Sequence, residues 1–384
     1  MQLPQFKIVL IYCRARSGSY FVHSLFDGHP DVLSLPPLKT TRLFFHSSNT
    51  YWNKGGQPRM PLDELVRAFV KSNPTLFDAR GCAGGQGYDH MGEDGSTVLR
   101  VDPDTFSNQL FKILEKPSEE LNRRRFFVAV HQAYDFAVYG NDRQAGTIVY
   151  QAHNPLDDLG NESLLFDFPE AKLLLTMQEA ARSLVSLIYQ KDANGIDKIG
   201  PSGRYLLCIM ATVYGWRALV GRVAHSRQLI SCMNALNKDL EAESRRYCEF
   251  AELEWNPQMM VSTFNGIRWN GDDWSKLPVS EGRSSEAVRE ERTAAVLYRK
   301  DHLVLRALTS DVREVCCFYS IPLHHYVVAF LAIPLPMKVE VIGIHASLGS
   351  HSASLFWRAV YFYLRRVVFS YKWFLTAVFW PSSK

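Results

Sequence analysis

The chain has 384 residues, of which 47% are hydrophobic, so it can bury a large core as one big domain with an appendage, or as two domains. Its 43 Lys and Arg nearly balance its 39 Asp and Glu, and residues 341–384 hold five of the basic residues and no acid. The body is therefore neutral, which argues against a nucleic-acid-binding domain, because such a domain would carry a basic face.

The seven cysteines are scattered without a CxxC pair, and the adjacent Cys316 and Cys317 are poorly placed to bridge each other. This pattern predicts a reduced, intracellular protein without a bound metal. Residues 2–6 are too short and too polar for a signal peptide or an N-terminal anchor. We therefore expect a cytoplasmic location.

The first informative stretch predicts a strand, a turn and a helix. Lys7–Cys13 is apolar and β-branched, residues 14–19 read Arg-Ala-Arg-Ser-Gly-Ser, and helical apolar spacing starts near Ser19. Backbone N–H groups at the helix N-terminus, the small Gly18 and the charge of Arg16 together favour a phosphate site. The turn is not a Walker A loop, and an ordinary βα turn is the alternative.

Further helices are predicted over 61–71, 102–121 and 126–138. His131 lies on the last of these, where a satisfied core histidine is the ordinary interpretation and a catalytic base the alternative. The glycine-rich segment 81–87 is interpreted as a loop, because no strong strand precedes it and no helix follows.

The second informative stretch contains two predicted strands, 147–150 and 171–176. The first gives way to Gln-Ala-His-Asn-Pro, so His153 follows a strand, and the second opens into a helix from Met177. Strands that alternate with helices indicate a parallel sheet, in which ligands bind at the carboxyl ends of the strands.

Three later segments complete the predicted body. The apolar pattern predicts a long helix over 205–230 and an amphipathic helix over 239–253. The loop 263–272 contains Gly266, Arg268 and Gly271, and either covers a phosphate site or forms a surface turn.

These motifs together resemble the sulfotransferases that use 3′-phosphoadenosine 5′-phosphosulfate, over residues 7–275. Residues 16–21 are similar to the family's 5′-phosphosulfate loop, with Ser19-Tyr20 in place of Thr-Thr. His153 and Pro155 match its Thr-His-x-Pro motif. Ser186 matches the serine that follows an arginine by eight positions, but the arginine itself is replaced by Gln178.

The resemblance implies a three-layer α/β fold, with a mostly parallel central sheet between flanking helices, and sulfuryl transfer from this donor to a hydroxyl without a metal. It implies His153 as the general base, with His131 as the alternative, and Arg16 as the group that stabilises the leaving phosphate. The residues expected to bind the donor are Arg14, Arg16, Ser17, Gly18, Ser19, Tyr20, Gln178, Arg182, Ser186, Gly266 and Arg268.

Gln178 departs from the family pattern because it supplies no charge for the 3′-phosphate, and charge-assisted hydrogen bonds are about twice as strong as neutral ones. Arg182, one helical turn later, is a candidate substitute, and the alternative is that it faces solvent. Two other functions stay open: a nucleotide-dependent phosphotransferase, and a catalytically lapsed member that binds a nucleotide or glycan at the membrane.

The C-terminal part is predicted as a helical extension, 283–384, after a sulfotransferase-like domain, 1–282. It begins with a charged helix over 284–308. Pro322, Pro334 and Pro336 then divide the uncharged segment 315–337, and the stretch of about eleven residues without proline is shorter than the roughly 20 that a spanning helix needs. In the aromatic helix 355–380, a cation recurs every seven residues and Arg366 stands beside this row. We expect this helix to lie on the anionic inner face of a membrane, or else to pack on the body or a second subunit.

The favoured acceptor, by analogy with the family, is a sugar hydroxyl of a glycan or glycolipid. The sequence predicts no nucleic-acid partner and leaves the oligomeric state open.

Overall fold

The computed structural model describes residues 6–13, 17–37, 51–53, 55–80, 87–115, 120–141, 143–153, 158–191, 206, 225–271, 279–280, 283–284, 286–309, 322–350 and 352–379. For some of these, including Cys13 and His153, only the backbone is described.

A five-stranded sheet lies at the centre of the body. Its strands are β1 (Lys7–Cys13), β2 (Val32–Ser34), β3 (Thr147–His153), β4 (Lys172–Met177) and β5 (Gln228–Cys232). The flanking helices are α1 (Ser19–Asp27), α2 (Leu62–Ser72), α3 (Pro74–Phe77), α4 (Pro103–Leu114), α5 (Arg123–Tyr139), α6 (Asp158–Asp167), α7 (Ala180–Lys191), α8 (Met233–Lys238) and α9 (Leu240–Ala251).

All five strands are parallel and lie in the order β2-β3-β1-β4-β5. The chain leaves β1 toward β2 on one side and leaves β4 toward β5 on the other, so the direction of winding reverses between β1 and β4. In open α/β sheets, ligands bind outside the carboxyl ends of the strands at such a point. The predicted α/β fold with a mostly parallel sheet is confirmed.

The strand β5 corrects one prediction from the sequence. The apolar pattern predicted a helix through Ile230, but Gln228–Cys232 pairs with β4, with Leu229 opposite Leu174 and Ile230 opposite Leu175. Burial of these side chains against the sheet outweighs the local helical spacing. Residues 207–224 of the predicted helix lie outside the described part of the chain.

The predicted loop after α9 contains a short β-hairpin. Its two strands, β6 (Thr263–Phe264) and β7 (Ile267–Arg268), have two residues each. Asn265 and Gly266 have φ of 54° and 69°, as a tight hairpin turn with two left-handed residues requires. A second short hairpin joins β8 (Val279–Ser280) to β9 (Arg283–Ser284). Of the glycine-rich segment 81–87, residues 81–86 lie outside the described part.

The C-terminal extension contains α10 (Glu286–Val296), α11 (Arg299–Leu308), α12 (Leu323–Ala332), α13 (Lys338–Gly349) and α14 (Ala353–Phe379). The helix predicted over 284–308 is therefore two helices. These elements form a second hydrophobic core together with α7, which contributes Ala181, Leu184, Val185 and Ile188. The boundary at residue 282 stays a prediction.

Within the described residues, none of the helices combines the length and the apolar character needed to cross a membrane. The long aromatic helix predicted near the C-terminus is present as α14, but Arg366 does not lie beside the exposed cations as expected. It is buried, with its side chain 1% exposed, because Glu340 pairs with it.

Candidate active site

The carboxyl edge of the sheet carries the turn that leads into α1. Gly18 stands at the N-terminus of this helix with φ of 82°, and none of the described side chains caps the helix there. A Cβ at Gly18 would lie 2.0 Å from Sδ of Met233, the first residue of α8. A side chain here would be strained by the left-handed φ and would force the Met233 side chain to move, and the Gly18 backbone lies at the positive end of the α1 dipole.

Two buried hydroxyls fasten this turn to the neighbouring strands. Ser17 Oγ lies 2.7 Å from Thr176 Oγ1 in β4, across the point where the winding reverses. Gln151 in β3 donates from Nε2 to Ser19 Oγ at 3.1 Å, which leaves the Ser19 hydrogen for another acceptor. Thr176 and Gln151 were not identified as site residues from the sequence. The signal that could have found them is a polar side chain near the carboxyl end of an apolar strand.

The last residue of β3 lies beside the last residue of β1. The register pairs Cys13 with His153, and neighbouring strands are about 4.8 Å apart. The His153 backbone is therefore adjacent to the start of the turn, while its side chain lies outside the description. Arg14 and Arg16 also lie outside the described residues, so their predicted roles stay predictions.

The alternative base, His131, is fully buried in the sheet core. Its Nδ1 is 2.8 Å from the Phe127 carbonyl, one helical turn earlier, and burial lowers its pKa to about 4. His23 in α1 is also buried, and its pKa falls to about 3, mainly through burial and secondarily through the charge of His131. A group without exposure cannot meet an acceptor, so we assign His131 to the core.

The edge beyond β4 carries a mixed group of charges. Gln178 and Glu179 follow the strand and are half-buried. Glu179 accepts from Arg306 Nε of α11 at 2.9 Å, and its other oxygen lies 3.7 Å from Arg182 Nε of α7. These three charges sum to one positive charge. Arg182 is thus held near Glu179, the residue after Gln178, and Ser186 is half-buried one turn further along α7.

The hairpin β6–β7 is fixed to the C-terminal end of α1 through Asp27. Its carboxylate accepts from Ser34 Oγ at 3.0 Å, Thr263 Oγ1 at 3.1 Å and Gly266 N at 3.0 Å, while burial raises its pKa. Asp27 stands eight positions after Ser19 in the helix, which corresponds to about 12 Å along its axis. Gly266 therefore lies away from the phosphate turn, and its N–H is already used.

The chain returns toward the turn after the hairpin. The Trp269 ring stacks on Tyr20 in the first turn of α1, with ring centroids 6.4 Å apart. The Arg268 carbonyl accepts from Gly92 N at 2.8 Å, which ties the hairpin to the segment 87–92. A Cβ at Gly87 would lie 1.9 Å from the Gly271 carbonyl oxygen, so the two segments are in close contact.

The described residues suit the 5′-phosphosulfate end of an anionic nucleotide donor better than its second phosphate. The α1 N-terminus offers backbone donors and a positive dipole for a 5′-phosphosulfate. Near Gln178 the cations Arg182 and Arg306 share Glu179, which reduces the charge available to a second phosphate. Among the described residues, no three His, Cys, Asp or Glu side chains are grouped so as to hold a metal ion.

No family model and no curated protein matches the chain. Its structure is similar to several solved sulfotransferase structures. The sulfotransferase domain from the curacin biosynthetic pathway is 14% identical, with a TM-score of 0.46, over 83% of this chain and 99% of that one. The sulfotransferase domain of the Synechococcus PCC 7002 olefin synthase is 12% identical, with a TM-score of 0.42, over 82% and 96%.

Sulfotransferase STF9 from Mycobacterium avium is 16% identical, with a TM-score of 0.36, over 67% of this chain and 66% of that one. At these identities and TM-scores we draw no conclusion on activity, donor or acceptor from the similarities.

Proposed function

We propose that this protein is a sulfotransferase that moves the sulfuryl group of 3′-phosphoadenosine 5′-phosphosulfate to a hydroxyl. One observation carries the proposal. The left-handed Gly18 at the N-terminus of α1 and the backbone of His153 lie at the same edge of the sheet, because Cys13 pairs with His153 in the register and Gln151 donates to Ser19 Oγ. An anion site next to a histidine is the arrangement that transfer from a phosphate to a hydroxyl requires.

The chemistry divides among these residues as follows. His153, whose ordinary pKa is near 6.5, accepts the proton of the attacking hydroxyl while that oxygen bonds to sulfur. Arg16 and the N–H groups of residues 18–20 stabilise the negative charge that the bridging phosphate oxygen gains as its bond to sulfur breaks. The bonds of Ser17 and Ser19 to the strands hold these N–H groups in place before substrate binds.

The acceptor in this proposal is a sugar hydroxyl of a glycan or glycolipid. This part rests on the resemblance and on the character of the C-terminal helices. A titration series with mono-, di- and oligosaccharides and with glycolipids in detergent would rank the acceptors by turnover.

A second candidate is a lapsed member that binds nucleotide without transfer. Gln178 in place of an arginine, with Glu179 beside it, favours this function, because both weaken the field that would hold a 3′-phosphate.

Binding and transfer are measured separately to test the proposal. Calorimetric titration with adenosine 3′,5′-bisphosphate is expected to show binding without metal that Arg16→Ala weakens, while the exposed Arg67→Ala serves as a matched control. Preference for ATP with Mg²⁺ would instead support a phosphotransferase. Binding of the bisphosphate without transfer to any hydroxyl would support the lapsed member.

The base is tested by His153→Ala, which is expected to abolish turnover and leave bisphosphate affinity nearly unchanged. His90→Ala, on a surface histidine whose side chain is 63% exposed, is the control and should keep full activity. Turnover that survives His153→Ala would remove this residue from the mechanism.

A further inference from the structure

The C-terminal helix α14 turns a row of large apolar side chains toward solvent. Trp357, Tyr361, Leu364, Val368 and Leu375 are between 43% and 72% exposed. They are separated by four, three, four and seven positions, which places them along one side of the helix. A soluble helix normally buries such a row.

Exposed cations border this row. Arg365 and Lys372 follow Tyr361 and Val368 by four positions each, so each lies next to an apolar member, and Arg358 continues their line one repeat earlier. No Asp or Glu occurs between residues 341 and 384. The solvent-facing side of α14 therefore combines an apolar row with basic side chains, and no side chain of the helix is acidic.

The apolar surface continues onto α12. Phe330 packs against Tyr371 with ring centroids 5.0 Å apart, and Tyr371 belongs to the row on α14 because it lies three positions after Val368. On α12, Leu323, Val327 and Leu331 follow one another at four-residue spacing and are 82%, 57% and 65% exposed. We call these eight exposed side chains of α12 and α14 the apolar face. Soluble monomers rarely expose so many large apolar groups together.

A buried ion pair fixes which side of α14 faces outward. Arg366 Nε donates to Glu340 Oε1 at 3.0 Å and its Nη2 donates to Glu340 Oε2 at 2.9 Å. The same guanidinium donates to the carbonyls of Ile333 and Leu335, which link α12 to α13. Rotating α14 to bury the apolar row would expose this pair and break these bonds.

We propose that the apolar face docks on an anionic lipid bilayer surface, with its residues at the level of the headgroups and Arg358, Arg365 and Lys372 on lipid phosphates and carboxylates. The basic residues of α14 favour an anionic bilayer over a second copy of the chain as the partner. Two copies of α14 would bring cations together without an acidic side chain on either helix to pair with them. An anionic bilayer offers both an apolar phase and the opposite charge.

The test uses the full-length chain and sedimentation with vesicles of phosphatidylcholine, with and without phosphatidylserine. Binding is expected only to the anionic vesicles and is expected to weaken as salt rises. Replacing Arg358, Arg365 and Lys372 with Gln should lower partitioning about 100-fold, since each cation near the surface contributes about 1 kcal/mol. The same replacement of the exposed cations Arg67, Lys71 and Lys238 on the body is the matched control and should change nothing.

A second variant, Leu364→Ser with Val368→Ser, removes apolar contact without changing charge and should also reduce binding. Three results would overturn the proposal: no binding to anionic vesicles at low salt, equal binding to neutral vesicles, or full binding by both variants. A concentration-dependent dimer in sedimentation velocity that the serine variant abolishes would also overturn it, in favour of a second copy as the partner.

Discussion

Gly18 is the residue at which backbone strain and crowding coincide. Its φ of 82° costs a residue with a Cβ about 1–2 kcal/mol, and the Met233 side chain has to move to make room for that atom. Gly18→Ala is therefore expected to lower the free energy of unfolding by more than about 1–2 kcal/mol, measured by urea denaturation. Adding Met233→Ala should recover the part due to crowding and not the part due to φ.

Gly146→Ala is the control for Gly18→Ala. Among the described residues, none lies within 4 Å of a Cβ at Gly146, and its φ is not in the left-handed region, so the change should have little effect. Equal destabilisation by both substitutions would contradict the assigned role of Gly18.

The two buried histidines predict a dependence of stability on pH. Their folded pKa values, about 3 for His23 and about 4 for His131, lie below the unfolded value near 6.5. The unfolded chain therefore binds more protons below pH 6.5, and the free energy of unfolding falls as the pH drops from 6.5 toward 4. Each histidine contributes a slope of about 1.4 kcal/mol per pH unit.

His131→Phe is expected to remove its share of that slope between pH 6 and 4.5, roughly the interval between the two pKa values. The measurement compares the slopes of unfolding free energy against pH for the two proteins, so a change in overall stability does not obscure it. Identical slopes would mean that His131 is not held neutral in the folded protein.

At the scale of elements, α7 and α11 meet the sheet where Gln178 replaces the expected arginine. Glu179 holds Arg182 and Arg306 there and offsets one of their two charges. If the donor binds at this edge, Glu179→Gln should strengthen binding of adenosine 3′,5′-bisphosphate by roughly threefold to tenfold, because a unit charge a few ångströms from a phosphate is worth about 1 kcal/mol in water.

Calorimetry measures that gain, and Glu64→Gln on the exposed side of α2 is the control. Unchanged or weaker affinity in Glu179→Gln would place the second phosphate elsewhere.

Elements with strong local signals were predictable from the sequence, and those that depend on distant partners were not. Lys7–Cys13 is a β-branched run that ends at a glycine turn, and its strand bounds were predicted without error. The strand Gln228–Cys232 forms because β4 lies beside it, which periodicity cannot reveal. The contacts of Gln151 and Thr176 likewise depend on the order of the strands.

At the scale of the whole molecule, the buried pair of Glu340 and Arg366 links the C-terminal helices α12, α13 and α14. Glu340 and Arg366 are 2% and 1% exposed, and removing one partner leaves a charge in a dry interior. Glu340→Ala should lower the free energy of unfolding by about 3–5 kcal/mol, whereas the double replacement Glu340→Leu with Arg366→Met should cost far less.

Chemical denaturation followed by circular dichroism measures both changes. Arg365→Met, on the exposed neighbour, is the control and should be nearly neutral. A double variant as unstable as Glu340→Ala would show that packing, rather than the unpaired charge, accounts for the loss.

The helix that follows β4 belongs to two structures at once, since its first turn borders the sheet edge while its apolar side chains fill the core of the extension. Exchange of the C-terminal extension for a segment of another protein would expose Ala181, Leu184, Val185 and Ile188 of α7 to solvent. The body and the C-terminal extension are therefore expected to be inherited together. A relative that has lost the extension should carry polar residues at those four positions.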